Sequence, residues 1–157
     1  MRIGTMLLAA AACSAAVACS VLDQRPDRSS PRISCTGNRC DAAVTVTSSG
    51  AWCKPDEIMP IDLSTGAGGG KTVSWTIGTP GYEFSNESYK FGIFIKNDPI
   101  DEFKDAKVIE NGRKLVITFN GKRSDKAYKY AVTVRRSTPN KEGHKEFCET
   151  LDPWLFN

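Results

Sequence analysis

The chain has 157 residues, with 21 Lys and Arg against 18 Asp and Glu and a formal net charge of +3. Beyond residue 34 there remain 123 residues, enough for one domain with a real core. Past residue 18 no stretch is long and apolar enough to cross a bilayer as a helix, so the rest of the chain is expected to be soluble.

Residues 1–18 read as an export signal: Met1 and Arg2 give a basic start, and Ile3 to Ala18 are mostly small or apolar. The stretch is too short for a spanning helix, which needs about 20 apolar residues. Six cysteines follow the chain: Cys13, Cys19, Cys35, Cys40, Cys53 and Cys148. Cys13 leaves with the signal. Ordinary cleavage after Ala16 or Ala18 strands Cys19 as an unpaired thiol, whereas capping Cys19 with lipid leaves four cysteines free to pair. Cleavage after Ser20 also leaves four. The segment "AVAC" resembles a bacterial lipobox, and that resemblance implies a thioether-linked diacylglycerol on Cys19, with Ser20 favouring the outer membrane. Plain secretion into the periplasm or medium is the alternative. Residues 19–34 are rich in Pro, Arg and Asp and read as a flexible tether. Such a tether reaches roughly 20 Å on average.

Residues 35–157 read as a single all-β domain. "CTGNRC" offers an easy turn that lets Cys35 meet Cys40, and Cys53 then pairs with Cys148. This is one of three possible connectivities, with a zinc site as the rival use of the four thiols. "AAVTVTSS" sets Val44 and Val46 against Thr45 and Thr47. "EIMPIDLS" supplies Ile58 and Ile61 but is broken by Pro60, which suits an edge or bulge. "KTVSWTIG" alternates cleanly through Val73, Trp75 and Ile77. "YKFGIFIKND" contributes Phe91, Ile93 and Ile95, "KLVITFNG" Leu115, Ile117 and Phe119, and "AYKYAVTVRR" Tyr128, Tyr130, Val132 and Val134. Asn111-Gly112 and Asn120-Gly121 carry hairpin chemistry, and predict a meander of strands near 106–110, 114–119 and 126–136. About seven strands at this spacing predict an antiparallel β-sandwich, with a small β-barrel as the alternative. Trp154, Leu155 and Phe156 are placed to seal it.

"SWTIGTPGYEF", "AYKYAVTV" and the closing "DPWLFN" resemble small exported bacterial proteins built on an immunoglobulin-like sandwich. The resemblance implies a fold and transfers no catalytic residue.

Motifs for chemistry are sparse. "GAGGGKT" (66–72) imitates a phosphate loop, but Thr65 stands where its first Gly belongs and a strand follows where a helix is required. His144, the one histidine, sits in a polar connection. Asp98, Asp101, Glu102 and Asp105 lack calcium-loop spacing and read as a charged loop. No metal or other cofactor is expected. Charge is distributed by segment: residues 107–145 hold 11 Lys/Arg against three acids, and residues 54–106 hold five against nine. Lys122, Arg123, Lys126, Lys129, Arg135 and Arg136 fall on or beside neighbouring strands and could share a basic face. Such a face would serve an anionic partner such as lipid headgroups, polysaccharide or an acidic protein; solubility and edge protection are the plainer use. The export signal argues against nucleic acid.

These features lead to an expectation of a non-enzymatic envelope lipoprotein, a tethered sandwich that binds a partner or supports an assembly. The alternative is an inhibitor or immunity protein, plugging an enzyme with loop 64–71 or 96–106.

Overall fold

The alternating apolar residues of 73–77, 115–119 and 128–134 are buried, while Phe91 and Ile95, which flank buried Ile93, are half-buried. The computed structural model describes residues 26–27, 29–65, 70–96, 98, 101–122 and 126–157. The segment 1–18 expected to be a signal peptide, Cys19 and Arg123 lie outside them, as do parts of both candidate plugging loops. In chain order the strands are β1 (Ile33–Ser34), β2 (Arg39–Val44), β3 (Val46–Ser49), β4 (Trp52–Pro55), β5 (Ile61–Asp62), β6 (Lys71–Ile77) and β7 (Tyr82–Phe84). After a 3-10 turn (Ser88–Lys90) come β8 (Ile93–Ile95), β9 (Phe103–Ile109), β10 (Lys114–Phe119), β11 (Ala127–Val132), β12 (Val134–Arg136) and β13 (Trp154–Phe156).

Two open sheets form the layers of a β-sandwich. One has the order β1-β5-β13-β11-β8 and the other β2-β6-β10-β9, with β7–β12 and β3–β4 as separate ribbons. Neither sheet closes, so the barrel alternative is not realised among the described strands. Val73, Trp75 and Ile77 on β6 are fully buried, as are Leu115 and Phe119 on β10 and Tyr128 and Tyr130 on β11. Aromatic rings join the layers. Trp75 tilts against Tyr130 with centroids 5.3 Å apart, and its Nε1 donates to the Tyr130 hydroxyl at 3.0 Å. Phe103 and Phe119 of one sheet meet Tyr128 of the other at 5.0 and 6.1 Å. Edge-to-face pairs of this kind add about 0.5–1.5 kcal/mol each beyond their area burial.

Several expectations are corrected. The sandwich has thirteen short strands among the described residues instead of about seven. It is mixed rather than purely antiparallel, because β1–β5, β5–β13 and β2–β6 pair in parallel. The predicted meander holds only for β9–β10, which pair as a hairpin. Asn120-Gly121 is a crossover between layers, since β11 pairs with β13 and β8 instead of β10. In the β9–β10 turn, Glu110 and Asn111 take positive φ and Gly112 follows at φ +85°; the Gly112 amide closes the turn on the Ile109 carbonyl at 3.1 Å. The run predicted over 126–136 divides at Thr133. Val132, Thr133, Val134 and Arg135 are all buried, so period-two alternation lapses there and the chain passes from the five-stranded sheet to the ribbon with β7. The fold also begins before Cys35. Ile33 pairs with Ile61, and the Arg32 guanidinium lies 3.9 Å from the centre of the Phe156 ring, which shortens the tether expected over 19–34.

Candidate functional site

Two covalent staples fix the frame on which any site must sit. Cys35 bonds Cys40, five residues away, and Cys53 bonds Cys148, 95 residues away. The pairing expected from reach is the one present, and it uses the four thiols that a zinc site would need. Disulfides of this kind belong to an oxidising compartment rather than the cytosol. No helix among the described residues is long and apolar enough to cross a membrane.

Of the six cations that could share a basic face, most of the described ones meet carboxylates of their own chain. Arg123 lies outside the described residues, and Lys122 is exposed. Lys126 pairs with Glu102 at 3.2 Å, Lys129 lies 4.0 Å from Asp152, and Arg136 lies 3.5 Å from Glu146. Arg135 is buried. Its Nε donates to Glu83 at 2.7 Å, Nη1 to Glu87 at 2.6 Å and Nη2 to Asn86 at 2.7 Å. Burial works against its charge, but hydrogen bonds and attraction from Glu87 and Glu83 outweigh that and raise its pKa above the ordinary arginine value. The break at Thr133 is the physical reason: it turns Arg135 inward, away from Lys129. The acidic and basic segments of the sequence are therefore partners. Glu83, Glu87 and Glu102 from the first neutralise Arg135, Lys145 and Lys126 from the second.

The other sequence motifs resolve into structure. Lys71 opens β6, and Thr72 donates its amide to the Asn38 carbonyl at 2.8 Å, so the glycine-rich run leads into a strand and not a phosphate-binding helix. His144 is exposed on a turn that the Asn140 side chain closes by accepting the His144 amide. It rims a depression of about 520 Å³ with Arg135, Lys145 and Phe147. Asp98 uses its carboxylate to accept the amides of Glu102 and Phe103, which is a loop-shaping role.

The concavity best placed for a ligand was not marked in the sequence. An open groove of about 560 Å³ runs between 54–60 and the C-terminal segment 151–154. Its floor includes buried Pro55, Ile58 and Pro153, and its walls include half-buried Leu151 and Trp154. The Cys53–Cys148 bridge clamps the two walls together, with the Glu149 amide donating to the Cys53 carbonyl at 2.9 Å and Trp52 Nε1 to Glu149 at 2.6 Å. Among the described residues the groove is lined by Lys54 and by Asp56, Glu57 and Asp152, the last held by Lys96 at 2.5 Å. Asp56 accepts the hydroxyls of Thr45 at 2.5 Å and Thr47 at 2.7 Å. Those two donors hold its pKa below the usual carboxylate value. The signal that could have found it is modest: the two threonines on the polar face of 44–47 turn toward an acid about ten residues on.

No protein-family model, curated protein or solved structure matches this chain.

Proposed function

We propose that the protein is a non-enzymatic binding module of the bacterial cell envelope, exported, stapled by its two disulfides and carried on a lipidated Cys19. Its binding surface is the groove between 54–60 and 151–154, and its ligand is an extended polypeptide segment presenting apolar and cationic groups. One observation carries this reading: a clamped, proline-floored groove beside Trp154 whose described lining offers Asp56 and Glu57 with Lys54, Asp152 being already held by Lys96. The Thr45 and Thr47 hydroxyls, one on each carboxylate oxygen, fix the orientation of Asp56 at the groove. An anionic partner, expected from the basic segment, has less support because Lys126, Arg135 and Arg136 already face carboxylates.

A photo-crosslinking residue at position 57, on the groove, and at position 106, on exposed β9, tests the surface in whole cells. Adducts from 57 that vanish with Trp154→Ala, and no matching adducts from 106, support the groove. Equal adducts from both positions, or none from 57, remove it. For the anchor, labelled palmitate should enter the wild type and not Cys19→Ala.

A further inference from the structure

We infer that the arm leading into β1, described at 26–27 and 29–32, is an intramolecular strap: it takes up part of the groove between 54–60 and 151–154, and a ligand must displace it to enter. The inference rests on the groove reading, and the experiment below separates failure of one from failure of the other.

Pairing brings the arm to the groove. Ile33 lies beside Ile61 in parallel register and donates its amide to the Pro60 carbonyl at 2.9 Å. In a parallel pair the upstream residues of one strand run beside the upstream residues of the other, so the chain before Ile33 is directed along 54–60, one wall of the groove. Pro26, half-buried, is itself part of the groove lining, together with Lys54, Pro55 and Trp154. An apolar ring of this chain therefore already stands where an apolar group of a ligand would be received.

Arg32 fastens the arm. Its Nη2 donates to the Asp27 carbonyl at 3.0 Å, and the same guanidinium lies 3.9 Å from the centre of the Phe156 ring. Phe156 in turn stacks with Trp154 of the groove wall, with centroids 6.4 Å apart. Asp27 shapes the bend beside Pro26, accepting the Ser30 amide on its carbonyl at 3.0 Å and the Ser29 amide on its side chain at 3.2 Å. Cation, bend and proline thus form one path from β13 to the groove.

The fastening is weak enough to reverse. Asp27, Ser29 and Pro31 are exposed, and the buried Arg32 Nε meets no acceptor among the described residues, which offsets part of what the stacking contributes. Segments held in this way open at far less free energy than the whole domain. While the strap is down the groove is not competent, so apparent affinity for a ligand falls in proportion to the fraction of molecules in which it is lifted.

A photo-crosslinking residue at position 57 of the purified full mature chain, followed by peptide mapping, tests the contact, and the same residue in whole cells tests the competition. An intramolecular adduct from 57 to Pro26 or Asp27 is expected, and Arg32→Gln should remove most of it. In that variant the Ser30 amide should exchange faster with solvent while the Ile33 amide stays protected, the pattern of a lifted arm on a folded domain. Partner adducts from 57 in cells should then rise roughly fivefold or more over the wild type. Pro26→Gly, which clears the groove and leaves Arg32 in place, should raise them too. A wild-type chain without the intramolecular adduct overturns the inference, as do partner adducts unchanged by both substitutions. Partner adducts absent from every chain, with the intramolecular adduct present, would instead remove the groove as a ligand site, and the competition with it.

Discussion

The two ends of β10 each hold a glutamate lodged against a glycine, Glu83 buried and Glu102 half-buried, and the two are neutralised by different chemistry. At the hairpin end, an added Cβ on Gly112 would lie 2.7 Å from the Glu83 Cβ, and Glu83 is answered by Arg135 at 2.7 Å and Lys145 at 2.8 Å. At the crossover end, an added Cβ on Gly121 would lie 2.9 Å from Glu102 Oε1, and Glu102 is answered by the Tyr128 hydroxyl and by Lys126. The Arg135 side chain is 9% exposed and that of Lys126 43%. One end is therefore an ionic lock whose central Arg135–Glu83 pair is buried, while its outer partners Glu87 and Lys145 reach solvent. The other is a phenol resting on an aromatic stack, with its cation left in solvent. A buried pair is costly to break and cheap to replace whole, whereas a half-wet one contributes little either way.

The largest effect is expected at the locked end, where Cys148 donates its amide to the Val134 carbonyl beside Arg135. Replacing both Cys53 and Cys148 by alanine frees a loop of nearly 100 residues, and chain entropy puts the loss at about 4–5 kcal/mol. Urea titration should show a larger drop than for the Cys35 and Cys40 pair, whose short loop is worth about 2 kcal/mol. Equal losses would mean that the strands, and not the clamp, hold the C-terminal segment.

Next comes Arg135→Met, which strips Glu83 and Glu87 of their shared guanidinium. About 3 kcal/mol should be lost. Adding Glu83→Gln to the same chain should restore a good part of it, because it removes a buried charge that would otherwise be answered by the part-exposed Lys145 alone. If the double variant is no more stable than the single one, the lock is not ionic and the comparison between the ends fails.

How far the sequence reveals this architecture follows from the range of each interaction. Trp75, Leu115 and Tyr130 could be assigned to the interior because their neighbours two residues away share one face, a local signal. The disulfides could be paired because reach is geometric. Glu83 could not be read as buried, since its partner Arg135 lies 52 residues on and its neighbours Tyr82 and Phe84 are buried as well. The parallel strands β1, β5 and β13 have two or three residues each, too few to show a period. The groove stayed hidden for a related reason: its walls, 54–60 and 151–154, are brought together by contacts across some 95 residues of chain, the long disulfide and the bonds around it.

The glycines give a closer test of the two ends. Gly112→Ala meets both a positive φ and the Glu83 Cβ, and should cost about 1–3 kcal/mol from backbone strain, with the contact added. Gly121→Ala meets the Phe119 ring edge at 2.4 Å, which must rotate or shift, at about 1–3 kcal/mol for overpacking. Thermal denaturation should rank Gly112→Ala as the worse of the two. The reverse order would make the aromatic stack the stiffer end.

The smallest and most specific effect belongs to Tyr128. Burial raises its pKa above the ordinary tyrosine value, and the hydrogen bond and negative charge of Glu102 raise it further against a lowering contribution from Asn157. Tyr130 is also raised, by burial, with the Trp75 donor opposing. In the unfolded chain a tyrosine ionises near pH 10. Above that pH the unfolded state binds fewer protons than the folded one, so stability is complete below about pH 10 and falls as pH rises. Tyr128→Phe should cost about 1 kcal/mol at neutral pH, the net worth of one hydrogen bond, because Lys126 still faces Glu102. It should also make the alkaline decline shallower by one proton, leaving Tyr130 to account for the remainder. Arg135→Met, at the other end, should lower stability by a similar amount at pH 7 and pH 11 and leave the slope alone. If Tyr128→Phe keeps the wild-type slope, the phenol is not held neutral by its carboxylate, and the crossover end is apolar packing alone.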